Sequence, residues 1–342
     1  MKGSGHGVFE LVSDHLGEDD EWNWVKDFAR QTGLKVTLVG TSPGAYIGGR
    51  IYRMASEAAA EGMEIRPQMA ARPTGVLHGL QSSFHVFVGH PTYASEVAHL
   101  SLEDKVTKLR DPEVRARMLA EETRIPQTAM GKSIDELLAQ VFPLGDKPDY
   151  EQPRTASVAG IAEARGVTGY EVMYDLLIGN DGKELFYQPL GGYDQYSLDY
   201  YRDIMQVPSI LFGLSDGGAH CGVIADAGMP SYILSYWGRD RTRGETLPLE
   251  FLVRKLSRDT AEAYGMTDRG LIAPGMKADV NVIDYDALQL HRPEAVYDLP
   301  MGGRRLVQRV NGYRHTIAGG QVTFENSEHT GALPGRLVRG GR

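Results

Sequence analysis

The stretch Pro208-Ser-Ile-Leu-Phe-Gly-Leu-Ser-Asp-Gly-Gly-Ala-His-Cys221 constrains the fold more than any other part of this 342-residue chain. Val207 and the run from Ile210 to Leu214 are apolar or Gly, which suits a strand buried on both faces, as in a parallel sheet covered by helices. Ser215 and Asp216 then meet Gly217 and Gly218, which break the strand and let the backbone pass close to a ligand. A carboxylate therefore stands at the carboxyl end of a buried strand, with the His220 imidazole four residues on. In α/β sheets and barrels that end is where chemistry is placed. The spacing alone equally allows Asp216 to cap a following helix.

The chain before this stretch alternates. Residues 7–13 are strand-like, and residues 20–32 read as a helix, amphipathic through Trp24, Val25 and Phe28 and stopped by Gly33. Residues 36–39 form a second β-branched run, closed by Gly40 to Gly44. A helix over 46–61 ends at Gly62, and 64–71 is a third strand. Strand, helix, strand, helix, strand implies parallel pairing through crossovers. Residues 102–124 are helical with an interruption near Pro112, and 145–153 make a surface connection. Helices are expected over 156–165 and 168–178, the second presenting Val172, Tyr174, Leu176 and Leu177, with a short one over 200–205.

Beyond Asp226 the pattern changes class. A helix over 247–264 exits at Gly270, and short strands follow at 280–283, 307–310, 315–317 and 321–324. Gly319-Gly320 calls for a tight hairpin between Thr316-Ile317 and Val322. Val280 and Val282 are expected on one apolar face opposite Val307 and Val310. Residues 333–342 are Gly- and Arg-rich and frayed.

Lys and Arg total 36 against 45 Asp and Glu, a net charge of -9, and no basic run interrupts that balance, so a nucleic-acid partner is excluded from the expectation. The sequence has no long apolar span and no signal-like amino terminus, so the expected setting is cytoplasmic, with no membrane partner. The single Cys221 rules out an internal disulfide. It reads either as a soft metal ligand beside His220 or as a buried, inert small residue.

Two motifs carry a family resemblance. Ser215-Asp216-Gly217-Gly218-Ala219-His220, with Asp226-Ala-Gly-Met-Pro-Ser-Tyr232 and Ser235-Tyr-Trp237, resembles the last barrel strand of the amidohydrolase superfamily, and more narrowly its N-acyl-D-amino-acid deacylase (D-aminoacylase) branch. Leu252 to Leu256, Thr260-Ala261, Gly265-Met266 and Asp268 to Val280 are similar to that superfamily's passage into its small β-domain. The resemblance implies a TIM-like (β/α)8 barrel with a small C-terminal β-sandwich, and a hydrolase of carbon–nitrogen bonds acting on N-acylated amino acids. It also implies a divalent metal, zinc, ligated by the carboxylate equivalent to Asp216. That carboxylate is then the general base and acid, and His220 orients it or meets the oxyanion.

A full barrel needs eight strands and about 250 residues. Counting back from Ile210 as the eighth strand leaves only residues 65–71, 36–39 and 8–12 as the seventh, sixth and fifth. The expected architecture is therefore an incomplete barrel over 1–269, built from the C-terminal strands, and a β-domain with tail over 270–342. Its uncovered apolar faces and free edge would favour a homo-oligomer or dependence on a partner chain. None of the ten histidines is spaced two apart, so the superfamily's His-x-His is absent. The strands matching those that end in a ligating His in the D-aminoacylase branch end here in Val12-Ser13-Asp14 and Val39-Gly40-Thr41, with His15 two positions beyond the first strand.

Arg72, at the end of the third strand, is placed to grip a substrate carboxylate or else to pair with an acid. His78, His85 and His90 lie on a Gly-bearing segment that could serve as a lid, with His85 and His90 as substrate contacts. Tyr187, Tyr193, Tyr196, Tyr200 and Tyr201 cluster before the last strand, where packing accounts for most of them. Two other functional readings stay open, a non-catalytic or partner-dependent subunit and a cyclic-amide hydrolase of the dihydroorotase kind.

Overall fold

The computed structural model describes residues 7–13, 18–40, 47–121, 133–215 and 217–338, without the side chains of residues 47 and 48. β1 (Val8–Leu11) leads to α1 (Asp19–Thr32), β2 (Lys35–Val39) to α2 (Ile47–Ala60), and β3 (Ile65–Met69) follows. β1, β2 and β3 pair in parallel, as the alternation requires. Asp19, Asp20 and Glu21 sit in the first turn of α1 and Arg30 in its last, so both ends oppose the helix dipole. Gly33, at φ 66, ends the helix and donates its N–H to the Ala29 carbonyl. The buried stripe of α1 is Trp22, Val25 and Ala29. Trp24, expected inside, is half exposed, because it stacks with Phe28 at 5.8 Å to cover Phe9 of the edge strand.

A long excursion separates β3 from its next parallel neighbour. It contains β4 (Gly75–His78), α3 (Leu102–Leu109), α4 (Pro112–Ala120), α5 (Ile134–Leu138), β5 (Phe142–Pro143), α6 (Val158–Arg165), α7 (Gly169–Leu177), β6 (Phe186–Pro189) and α8 (Asp199–Met205). Asp111 caps α4 with Pro112 in its first turn, which is the interruption read from the sequence. Thr168 and Glu171 form a capping box on α7. β4, β6 and β5 make a small antiparallel sheet that periodicity does not announce. β7 (Leu211–Phe212) then joins β3 in parallel, completing a four-stranded sheet in the order β1-β2-β3-β7.

The two faces of that sheet differ. Val36, Leu38 and Ile65 pack with Trp22, Val25, Ile51, Ala55 and Ala58 of the covering helices. The opposite face, expected to be apolar, carries Glu10, Thr37 and Gln68. Gln68 Nε2 donates to Glu10 (3.3 Å), Thr37 Oγ1 (3.4 Å) and the Tyr264 hydroxyl (3.1 Å). These polar groups satisfy one another, so the sheet needs no apolar cover there.

After β7, α9 (Met229–Tyr232) runs into a π-helical stretch, Ile233–Asp240, and α10 (Leu249–Arg254) runs through a second one, Lys255–Asp259, into α11 (Thr260–Ala263). Gly265, at φ 69, ends this helix five residues before Gly270, and the Met266 N–H bonds the Ala261 carbonyl. Lys255 Nζ reaches the carbonyls of Val207 (3.1 Å) and Ile210 (2.8 Å), holding the approach to β7.

The C-terminal region is β-rich. β8 (Val280–Ile283), β9 (Gln289–Leu290), β10 (Glu294–Leu299), β11 (Gly303–Val307), β12 (Val310–Asn311), β13 (Tyr313–Ala318), β14 (Gln321–Glu325) and β15 (Glu328–His329) form one four-stranded antiparallel sheet, β15-β14-β13-β8, and two ribbons, β10-β11 and β12-β9. The Gly319-Gly320 hairpin forms, with both glycines at positive φ between Ala318 and Gln321. β8 pairs with β13, whereas Val307 faces β10 and Val310 faces β9, so the expected valine pairing does not occur.

Leu288, Leu290 and Leu306 of this region enter the main core beside Met229, Trp237 and Tyr187. A buried ion pair ties the excursion to the helices after β7. Arg241 donates through Nε and Nη2 to the two carboxylate oxygens of Glu151, at 2.9 Å each, both side chains being wholly buried. Glu151 also accepts from the Leu198 N–H at 2.7 Å, and Arg241 reaches Asp199 at 2.7 Å.

Candidate active site at the carboxyl end of β7

β7 ends at Phe212 with the Gly213 N–H bonded to the Met69 carbonyl of β3 at 3.0 Å. A Cβ at Gly213 would lie 2.6 Å from Gln68 Oε1, so a larger residue there would displace the Gln68 side chain. Leu214 (φ 60), Gly218 (φ 106) and His220 (φ 47) all adopt positive φ, so the chain turns sharply over seven residues, 214–220. Asp216 itself lies outside the described residues, as does His15. Gly217, Gly218, Ala219 and His220 are exposed, and a Cβ at Gly218 would meet nothing within 4 Å. Chain approach to a ligand is therefore unhindered on that side.

The loop is held from three directions. Leu77 of β4 donates its N–H to the Val223 carbonyl (2.7 Å), and the Ser83 N–H bonds the Gly222 carbonyl (2.8 Å). Leu306 of β11 donates to the Cys221 carbonyl (2.7 Å). Cys221, half-buried and without a disulfide, thus contributes its backbone to the anchoring.

Arg72 supplies the third hold. Its Nη2 donates to Asp226 Oδ1 at 2.9 Å, and its Nη1 to the Pro73 carbonyl at 3.2 Å. The guanidinium lies 3.9 Å from the centre of the Tyr150 ring, with Tyr187 at 5.4 Å and Tyr232 at 5.9 Å. Burial opposes its charge, but Asp226 and the surrounding tyrosines outweigh that and raise its pKa. The sequence reading offered this fork to a substrate carboxylate. In the structure it is 1 % exposed and engaged by the exit of the β7 loop.

The three histidines of the segment expected as a lid are buried. His78 and His85 are at most 1 % exposed, as is His90, because Phe84, Phe87, Tyr93 and Tyr170 close around the rings. His78 Nε2 shares a 2.6 Å hydrogen bond with Gln188 Oε1, His85 Nδ1 accepts the Phe87 N–H at 3.3 Å, and His90 Nδ1 meets the Met118 carbonyl at 3.1 Å. Each ring keeps one nitrogen without a partner. Burial depresses their pKa values, to about 4 for His78 and about 3 for His85, and lowers that of His90. His85 and His90, proposed from sequence as substrate contacts, are core residues of the excursion.

Among the described residues no three of His, Cys, Asp and Glu converge as a metal site, so the donor set of a zinc centre is not met by them. Also among them, no helix is long and apolar enough to cross a membrane. His220 and the flanks of Asp216 are the predicted site residues that the structure brings to the mouth of β7. Sequence reasoning missed Asp226, although it stands in a quoted motif, because nothing local signals its partner.

Crystal structures of D-aminoacylase superpose with TM-scores of 0.47 and 0.48 at 15 % and 18 % identity, covering 95 % of this chain and 54 % of those chains. One of them is described as defining a novel subset of amidohydrolases, and the other concerns that protein's binuclear metal centre. An adenine deaminase of Brucella suis biovar 1 (strain 1330) is 29 % identical over 129 residues, 34 % of this chain and 21 % of that protein. The chain thus spans about half the length of the solved relatives and about a fifth of the curated one. A model of the amidohydrolase family matches residues 14–324, nearly the whole chain, and the chain belongs to that family.

Proposed function

We propose that the chain carries the carboxylate half of an amide-hydrolysing site, acting on N-acylated amino acids in the manner of D-aminoacylase, with Asp216 as general base and then acid. The observation that carries this reading is the loop after β7. It leaves the carboxyl end of a buried parallel strand through positive-φ turns, exposes Gly217 to His220, and is anchored behind by Arg72, β4 and β11. Such a loop is a held base with an open side, from which Asp216 is proposed to act.

In the proposed reaction a water attacks the amide carbonyl while Asp216 takes one of its protons. The tetrahedral intermediate then collapses, the carbon–nitrogen bond breaks, and Asp216 returns the proton to the departing nitrogen, giving a carboxylic acid and an amine. His220, exposed at the same turn, is proposed to donate a hydrogen bond to the developing oxyanion. A divalent metal would polarise the carbonyl and lower the pKa of the water. The described residues do not supply its ligand set, so no step is drawn through it.

Arg72, His85 and His90 are not assigned substrate contacts in this proposal. The free outer edge of β1 among the described residues supports association with a second copy or a partner chain.

The test is hydrolysis by the purified chain, with its metal content measured, of N-acyl-D- and N-acyl-L-amino acids, a cyclic amide and adenine. The proposal expects activity on the linear amides that Asp216→Asn reduces at least about a hundredfold. Linear-amide activity that survives Asp216→Asn would refute the mechanism. No turnover with any divalent metal would leave the non-catalytic reading.

A further inference from the structure

Three arginines stand on the elements that hold the loop after β7, and they differ in what already engages them. Arg72 is buried against Asp226, and Arg305 of β11 donates to both carboxylate oxygens of Asp298, at 2.7 and 2.6 Å. Arg304, the neighbour of Arg305 on the other face of the strand, makes no ion pair among the described residues. It is half-buried, and its Nη2 donates to the Ser83 hydroxyl at 2.9 Å.

Hydrogen bonds and close packing fix that guanidinium beside the loop. The Ser83 N–H bonds the Gly222 carbonyl at 2.8 Å, and a Cβ on Gly222 would stand 2.3 Å from Ser83 Oγ, so the serine lies directly on the loop. Leu306, two residues along β11 and on the same face as Arg304, donates its N–H to the Cys221 carbonyl at 2.7 Å. Both ties land within two residues of His220, the exposed imidazole of the site. The fork also has donors to spare. A guanidinium carries five N–H groups, and one of those on Nη2 goes to Ser83. Nε is buried without a partner, which leaves the Nη1–Nη2 end, beside the exposed Ser83, as the end that meets a ligand.

We propose that Arg304, seated on the Ser83 hydroxyl, grips the carboxylate of the substrate, a role that rests on reading the loop as an amide-hydrolysing site. The N-acylated amino acid then lies with its amide toward Asp216 and its carboxylate toward β11. The planar fork matches the two carboxylate oxygens in a two-pronged bond, and a half-buried position screens that pair less than open solvent does. A neutral amide leaves the fork unmatched. The chain's net charge of -9 repels anions in general, so holding one requires a local cation free of acidic partners. Selection of the substrate's charge thus comes from the C-terminal β-rich region, and the chemistry from the loop.

The experiment compares N-acetyl-D- and N-acetyl-L-alanine with N-ethylacetamide, the same amide without the carboxylate. Hydrolysis is followed on the full chain, and binding is measured by calorimetry on the Asp216→Asn chain, so that the binding arm does not depend on turnover. Arg304→Gln is expected to weaken binding of the preferred N-acetylalanine at least about tenfold and to raise its KM by a similar factor, with most of the loss in KM rather than kcat. Arg304→Lys should restore part of the affinity, since it keeps the charge and loses the fork, and Ser83→Ala should cost several-fold. Equal binding of N-acetylalanine to Arg304→Gln and its parent would overturn the proposal, as would an equal loss for N-ethylacetamide, which would make Arg304 a structural residue. No saturation by about 50 mM of either N-acetylalanine would overturn it as well. Turnover that survives Asp216→Asn refutes the hydrolytic mechanism instead, and the binding arm separates that failure from a failure of Arg304.

Discussion

The buried histidines make the fold acid-sensitive in a definite pH window. Burial lowers the pKa of His78 from 6.5 to about 4 and that of His85 from 6.5 to about 3, while in the unfolded chain both return to the ordinary value. Because the folded values are depressed, the unfolded state binds more protons as pH falls below 6.5. The stability tied to the neutral rings is complete above 6.5 and is lost progressively down to about 4 for His78 and about 3 for His85. At 1.36 kcal/mol per pH unit, lowering pH from about 7.5 to about 5 removes about 2 kcal/mol for each ring. Together the two remove about 4 kcal/mol, a large share of the ordinary net stability of about 5–15 kcal/mol. Both side chains are essentially inaccessible, so solvent does not discount the effect.

The assay is urea unfolding followed by tryptophan fluorescence across that range, comparing wild type with His85→Asn. Asparagine offers an acceptor for the Phe87 N–H but does not titrate. The variant is expected to be less stable near neutrality, yet to lose about 2 kcal/mol less than wild type between the two pH values. Parallel pH profiles for the two proteins would refute the reasoning, since they would mean that His85 has the same proton affinity folded and unfolded.

Other perturbations follow from the same contacts. Glu151→Gln leaves the wholly buried Arg241 charge with only the exposed carboxylate of Asp199 and is expected to cost about 3–5 kcal/mol in chemical denaturation; a loss under about 1 kcal/mol would mean that the buried pair contributes little. Asp226→Asn should destabilise by a similar amount through Arg72 and also raise hydrogen exchange at Val223 and Leu306, whose backbones flank the loop; unchanged exchange there would separate the ion pair from loop anchoring. Asp216→Asn is expected to leave the melting temperature nearly unchanged while abolishing most turnover, and a large drop in melting temperature would make Asp216 a structural residue. The β1 edge predicts a concentration-dependent dimer in light scattering, and a strict monomer up to about 100 µM would count against association through that edge.

The parallel core was legible because buried strands leave an undiluted signal. Residues 36–39 are a largely β-branched run closed by Gly40, residues 210–214 are apolar or Gly, and the helices between strands bring their own stops, such as Gly33. The Gly319-Gly320 hairpin was equally readable, since a two-residue turn of positive φ depends on local chemistry alone. The excursion was not. β5 and β6 are short and each ends in proline, and their sheet exists only because β4 and β6 meet from distant parts of the chain. Long-range partners also decided the site residues. Arg72 has the same local sequence whether it meets a substrate or Asp226, and only the tyrosines at 150, 187 and 232 settle which.

Those tyrosines also explain how a loop rich in glycine is held in place. Glycines at 217 and 218 give the chain after β7 the freedom to turn, and the same freedom costs entropy when it is ordered. The ordering comes from outside the loop. Tyr150 and Tyr187 belong to the excursion and Tyr232 to α9, and together they surround the Arg72 guanidinium that holds Asp226. β4 and β11 grip the intervening backbone at Val223 and Cys221. The excursion between β3 and β7 is therefore part of what holds the loop, because it supplies two walls of the cage and one of the anchoring strands. A change in its core, at Tyr187 for example, is therefore expected to act on the loop through Arg72.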